Sequence, residues 1–402
     1  MAATTSSDIA EWLVDGARSA QRPEQVLEQI CEKLVAGGLP LWRTGVFIRT
    51  LHPDVMGRSF IWRPGAGVVV ASAGFDILES DTYRTSPIAT IYETGQPVRH
   101  RIFRGEGLNR SPFLGELRDE GATDYIGFPL HFTDGSFHAA TCSTKQEGGF
   151  TDKNIEMLAS IMPALARVAE IRALRRVTTN LLDTYVGSRA GERILAGQIR
   201  RGSADALHAV IWLSDMRGFT SLSDRVSSQA VVNVLNRYFD CQVPPIAKHG
   251  GEVLKFMGDG LLAIFPVSGA GDDTADVYAR VLAAARETRA NVEALNKAQG
   301  PWSTDRIRFG IALHVGEVLY GNIGGGNRLD FTCIGPAVNL AARIEKVAGK
   351  LGRTVVASAE FAQHLPDEWE HIGEYALAGF SARQTVLGLR DETESLAAAK
   401  SA

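Results

Sequence analysis

Two aspartates carry the chemistry that this chain suggests. Asp215 follows an apolar run at residues 209–213 and precedes Arg217-Gly218-Phe219-Thr220. Asp259 lies in Gly258-Asp259-Gly260, with apolar runs at 252–257 and 261–265 on either side. Gly and Asp tolerate the positive φ of tight hairpin turns, so residues 251–265 predict two strands joined by a short turn. Taken singly, each aspartate also fits a plainer role, in a solvated turn or as a helix cap. Two strand-end carboxylates that converge suit hard divalent cations and phosphates. A helix opening after Asp215 would add unpaired N–H groups, where a triphosphate can lie beside the metal.

The elements that must position them alternate from about residue 206 onward. Residues 209–213 read as a strand, 227–247 as a helix and 251–265 as the hairpin. An Ala-rich helix follows at about 272–299, a strand at 307–315, and the start of another hairpin at 316–323. Residues 331–334 are a strand and 337–348 a helix with a strong apolar face; strands at 354–357 and 385–389 close the pattern. This order predicts a split βαβ, ferredoxin-like α+β domain with a layer of helices on one sheet face.

The first part of the chain has a different rhythm. Residues 8–36 carry helical spacing, split into two amphipathic helices at Pro23. Strand-like pieces follow at 45–50, 59–62 and 68–71, while residues 86–121 are mixed and give no clear pattern. Strands at 125–132 and 137–144 are joined by Thr133-Asp134-Gly135, a hairpin signal. Thr151 or Asp152 caps a long helical pattern whose stripe is Ile161, Leu165, Val168, Ile171 and Leu174, with Pro163 inside it. Such a stripe packs on a core or dimerises as a short coiled coil. Arg172, Arg175 and Arg176 read as a solvated face.

At 402 residues with 45% hydrophobic and 22% charged residues, the chain predicts two ordinary globular domains plus a connector. A net charge of −4 argues against a nucleic-acid binder. No apolar run approaches the roughly 18–20 residues of a membrane span. The start, MAATTSSDIAEW, lacks the basic and apolar regions of a signal peptide. The four cysteines form no CxxC and the nine histidines no HxxxH or HExxH, so reduced thiols in a cytoplasmic protein without zinc are expected. Residues 321–326 (GNIGGG) lack the GK[ST] of a P-loop and read as a hairpin tip, and no GxSxG supports hydrolase chemistry.

DMRGFTSLSD (215–224), GGEVLKFMGDGLLAIF (250–265), HVGEVLYGNIG (314–324) and FTCIGPAVNLAARIE (331–345) together resemble the catalytic domain of class III nucleotidyl cyclases. The resemblance implies conversion of a nucleoside triphosphate to its 3′,5′-cyclic monophosphate and pyrophosphate with two Mg²⁺ or Mn²⁺ ions. It also implies a homodimer, since in this family two domains pair head to tail and share the sites. By matching position, Asp215 and Asp259 are the metal-binding aspartates, with Gly218, Phe219 and Thr220 beside the substrate. Lys255 and Thr332 match the base-reading pair; lysine can donate to adenine N1, and threonine marks a bacterial adenylate cyclase subclass, so ATP is the implied substrate. Asn339 matches the residue that orients the ribose, and Arg343 the one that stabilises charge at the pentavalent phosphate. Without the family, Lys255 would be a strand-edge charge and Asn339 with Arg343 a surface pair.

Residues 131–161 (HFTDGSFHAATCSTKQEGGFTDKNIEMLASI) resemble the closing segment of a GAF domain. The implied organisation is a GAF-like sensor at 1–172 for an unidentified signal, a helical connector at 173–205, a cyclase domain at 206–390 and a tail at 391–402. Two departures stand out. Ala378-Gly379 replaces the family's Lys-Gly that contacts terminal phosphates, with Arg383 or Arg308 as possible substitutes, and Pro336 replaces an acid. The competing reading is a catalytically weak or silent cyclase-like protein that binds nucleotide; a diguanylate cyclase would need GG[DE]EF, which MGDGL does not supply.

Overall fold

The structure is a computed structural model that describes residues 5–267, 272–298, 306–326 and 328–392. It divides into two units, residues 1–181 and 182–402. Most of the tail at 391–402 lies outside the described residues.

The first unit runs α1 (Ser6–Val14), α2 (Pro23–Ala36), β1 (Arg43–Arg49), β2 (Gly57–Arg63), β3 (Gly67–Ala73), α3 (Asp81–Arg84), α4 (Pro87–Thr94), β4 (Val98–His100), α5 (Pro112–Asp119), β5 (Asp124–His131) and β6 (Phe137–Thr144). The helix α6 (Asp152–Val186) follows and continues past the division. The strands form one antiparallel sheet in the order β3-β2-β1-β6-β5-β4. Alternation sends Val46 of β1, Trp62 of β2, Ile126 and Phe128 of β5 and Cys142 of β6 to one face, where Leu27 and Ile30 of α2 and Leu158, Ile161 and Leu165 of α6 cover them. Arg43, Gly45 and Phe47 therefore point to the other face, toward α4 and α5. Pro23 stands at the N-terminus of α2, where its missing N–H costs nothing. The Asn154 N–H donates to Thr151 Oγ1 at 3.2 Å and so caps α6. The stripe on α6 splits: Ile161, Leu165 and Val168 are core, whereas Ile171 and Leu174 are exposed.

The second unit runs α7 (Ser188–Leu195), β7 (Ala204–Met216), α8 (Phe219–Ser223), α9 (Ser228–Asp240), α10 (Val243–Lys248), β8 (Glu252–Met257), β9 (Gly260–Pro266), α11 (Asp272–Lys297), β10 (Phe309–Gly325), β11 (Arg328–Ile334), α12 (Pro336–Leu351), β12 (Val355–Ser358), α13 (Ala359–Ala362), β13 (Trp369–Tyr375) and β14 (Gln384–Leu389). Its sheet has the order β13-β14-β12-β10-β7-β9-β8, with β11 paired to β10. Within it, β10-β7-β9-β8 is the split βαβ arrangement, with α9 and α10 making one crossover and α11 the other.

The expected single layer of helices is corrected: both sheet faces are covered. Val210 and Trp212 of β7 face α9 and α11, while Ala209, Ile211 and Leu213 face α7 and α12. Burial on both faces explains why β7 reads as an unbroken apolar run rather than an alternation. The helix expected at 227–247 is two helices, because Pro244 and Pro245 lack the N–H groups that continuation needs. Residues 307–323, read as a strand plus a hairpin start, lie largely in the continuous β10, which pairs with β7 along the latter's whole length.

Candidate active site

Strand register brings the aspartates together. Asp215, near the end of β7, lies opposite Gly260 of β9, and Met257 of β8 closes on the same Gly260. The turn Gly258-Asp259 is thereby held against the end of β7. Gly258 takes φ +67°, which glycine adopts without strain. The Asp215 and Asp259 carboxyl groups come within hydrogen-bonding reach of each other. Burial, and then the neighbouring Asp259 charge, push the Asp215 carboxyl up to about 6; Glu345 adds to the rise and Arg217 opposes it.

A second acid that the sequence reading missed stands behind this pair. Glu345 of α12 is buried and ion-paired with Arg217, Nη1 to Oε1 at 2.6 Å. Arg217 Nη2 also donates to the Glu345 carbonyl oxygen at 3.3 Å. Gly310, opposite Asp215 on β10, leaves the room this ion pair occupies, since a Cβ there would collide with the guanidinium. The only sequence signal for Glu345 was its place directly after Ile344 at the end of the last motif.

Two touching carboxylates, one with a raised pKa, fit a hard divalent cation, because the cation's charge relieves their repulsion. Among the described residues no group of three or more His, Cys, Asp or Glu forms a metal cage. Further ligands would then be water or phosphate oxygens, the usual company of magnesium. Gly218, at φ +74°, precedes the single turn α8, where Phe219 packs against the core and Thr220 is exposed.

The remaining expected residues fall into two groups. Lys255 Nζ lies 3.3 Å from Asp330 Oδ2, two positions from Thr332 on β11. Thr332 is buried, and its hydroxyl has no hydrogen-bond partner. Asn339 is exposed and Arg343 part-buried on α12. No hydrogen bond or ion pair among the described residues joins either one to Asp215 or Asp259. Glu345, two positions beyond Arg343, is turned about 200° around the helix, so the face that meets Arg217 is not the face that carries Arg343. Pro336 has a structural explanation: it is the first residue of α12, following Gly335.

Of the two possible substitutes for the missing lysine, Arg383 donates to the Glu374 carbonyl at 2.8 Å. The Arg308 backbone carbonyl accepts from the Arg217 N–H at 2.7 Å, which puts this exposed arginine at the Asp215 end of the sheet. Ala378 sits in an exposed turn. The start of β8 lies beside the N-terminus of α7: Glu252 accepts from the Tyr320 hydroxyl at 3.1 Å, and its carboxylate sits next to Gly187, the residue before α7.

Residues 205–386 match the model of the adenylate and guanylate cyclase catalytic domain. The chain is 30% identical over 167 residues to an adenylate cyclase of Anabaena cylindrica, covering 42% of this chain and 32% of that protein. It is 30% identical over 154 residues to adenylate cyclase 1 of Rhizobium meliloti, covering 38% and 23%. The chain thus spans about a third or less of the length of these curated relatives. Among solved structures, a bacterial light-regulated adenylyl cyclase is 25% identical, with 46% of this chain and 92% of that chain covered and a TM-score of 0.41. The match to the adenylate and guanylate cyclase catalytic domain thus lies within the second unit, over residues 205–386.

Proposed function

We propose that the protein is an adenylate cyclase that converts ATP to 3′,5′-cyclic AMP and pyrophosphate. The observation that carries this reading is the convergence of Asp215 and Asp259 at the ends of adjacent strands. Two divalent cations, Mg²⁺ or Mn²⁺, would supply a lowered pKa at the ribose 3′-hydroxyl and shielding of the leaving phosphates. Asp215 and Asp259 would hold them, with Arg217 keeping the Glu345 carboxylate paired and away from them. The backbone at Gly218, Phe219 and Thr220 would lie against the phosphates. Lys255 donates to the adenine ring, with Thr332 as the second base-reading group and Asp330 orienting the ammonium. Asn339 positions the ribose, and Arg343 stabilises the charge that builds on the transferring phosphate, a role its permanently charged fork suits.

Because Arg343 and Glu345 occupy different faces of α12, the Asn339–Arg343 pair serves the aspartates of a second copy in a homodimer. Exposed Ile171 and Leu174 on α6 support pairing through that helix. The first unit, an antiparallel sheet with helices on both sides, serves as a GAF-like sensor, and 173–205 as its connector. Among the described residues no helix is long and apolar enough to cross a membrane. The alternative, a weak or silent nucleotide-binding relative, rests on Ala378.

Purified protein given ATP and Mn²⁺ is expected to release cAMP; tight nucleotide binding without product would favour the silent reading. Arg308→Ala is expected to raise KM for ATP about tenfold with a smaller change in kcat, the mark of a lost contact to unreacting phosphates. An unchanged KM would remove Arg308 from the site.

A further inference from the structure

The first unit contains an arginine that its own fold does not neutralise. Arg43 of β1 is only 8% exposed, and its Nη1 is buried without a hydrogen-bond partner. The acid whose field it feels, Glu120, is already ion-paired with Arg63 at 2.8 Å. Burial lowers the Arg43 pKa, the expected sign for a cation removed from water. Three hydroxyls on the same sheet face, those of Tyr125, Thr141 and Ser143, are also buried without partners. A buried, unpaired guanidinium is costly enough that its persistence needs a cause.

Arg43 lines a cavity of about 250 Å³ between this face of the sheet and the segment from Ile77 to Tyr92. Arg49 and Arg58 also line it, and no aspartate or glutamate does. Arg49 is engaged, stacked on the Tyr92 ring at 3.9 Å and donating to the Tyr83 hydroxyl at 3.2 Å. Phe47, Tyr83, Tyr92 and Phe113 supply aromatic walls, and the Arg43 Cζ lies 5.3 Å from the Phe113 ring. The volume is below the roughly 300–1,000 Å³ of drug-sized sites, so an occupant has about a dozen non-hydrogen atoms.

We propose that this cavity binds a small aromatic carboxylate, with the carboxylate on Arg43 and the ring between the aromatic walls. A guanidinium fork matches a carboxylate with two parallel hydrogen bonds, and a planar ring fits edge-to-face or offset against such walls. Of the three arginines that line this mostly apolar cavity only Arg43 is buried, and one buried cation favours a monoanion over inorganic phosphate, whose greater charge is costlier to desolvate. This deepens the sensor reading of the first unit by naming its ligand class. Binding is measured directly, so its failure is distinguishable from a failure to make cAMP.

The test is calorimetric titration and thermal unfolding of the full chain with benzoate and phenylacetate, their neutral amides, and inorganic phosphate. At least one carboxylate is expected to bind and raise Tm, with its amide and phosphate at least about tenfold weaker. Arg43→Met is expected to weaken carboxylate binding roughly 10- to 100-fold, yet to raise the Tm of the ligand-free chain by removing an unpaired buried charge. Ser59→Leu, which fills the cavity and keeps Arg43, is expected to abolish binding without unfolding. Failure of both carboxylates to bind at about 10 mM, equal binding of amide and acid, or unchanged affinity in either variant overturns the proposal. So does an Arg43→Met chain that is less stable without ligand, which would make the arginine structural.

Discussion

Asp259→Asn is expected to abolish cAMP formation, a loss of at least about a thousandfold, while leaving a folded protein that is more stable than wild type at neutral pH without metal. Both effects have one cause. The Asp215 carboxyl titrates near 6, raised by burial and by the Asp259 charge. A carboxyl whose folded pKa exceeds its unfolded value binds more protons when folded, so its contribution to stability falls as pH rises between the two values. Above about pH 6 the metal-free protein therefore carries the full repulsion, and below about pH 4 it carries almost none. Removing one charge restores on the order of 1 kcal/mol at pH 7, allowing for solvent screening at a half-buried site, or a few degrees in Tm. The gain should vanish in acid and when Mn²⁺ is added to the wild type. Thermal unfolding of both proteins from pH 4 to 8, with and without Mn²⁺, checks this. Wild-type turnover in the variant, or a stability difference independent of pH, would refute the assignment of the pair.

Mixing Asp215→Ala with Arg343→Ala protein is expected to restore activity that neither has alone. In the proposed homodimer each variant by itself damages both sites; loss of Arg343 alone should cost on the order of 10²- to 10³-fold. In a heterodimer both lesions fall in one of the two equivalent sites, and the other site is whole. With random exchange about half the dimers are mixed and each has one good site, so about a quarter of wild-type activity returns. The physical basis is the helix geometry of α12. Glu345 holds Arg217 on its own sheet, and that commits the Arg343 face to a different direction. A verified heterodimer without activity would sink the shared-site reading, whereas full activity in Arg343→Ala alone would remove the residue from the chemistry.

The N-terminus of α7 meets the start of β8. Glu252 sits beside Gly187 at the N-terminus of α7 and begins β8, the strand that carries Lys255 and ends at the Asp259 turn.

What the sequence determined by itself was local. Gly258-Asp259-Gly260 specifies a tight turn because few residues take its backbone angles, and the apolar runs on both sides can only be its strands. Pro23 and Thr151 marked helix starts through the N–H groups that they lack or satisfy. Other features depended on partners distant in the chain. The long β10 was broken in the sequence reading because its polar residues and glycines disguise a strand that β7 supports throughout. Helices on both sheet faces could not be read from alternation, since β7 is apolar at every central position. Glu345 was missed because an acid beside Arg343 looks like surface charge until Gly310 admits Arg217 next to it. The unpaired state of Arg43 likewise has no sequence signature, because neutralisation of a buried charge depends on which acids the fold brings near, and the tertiary structure gives Glu120 to Arg63 instead.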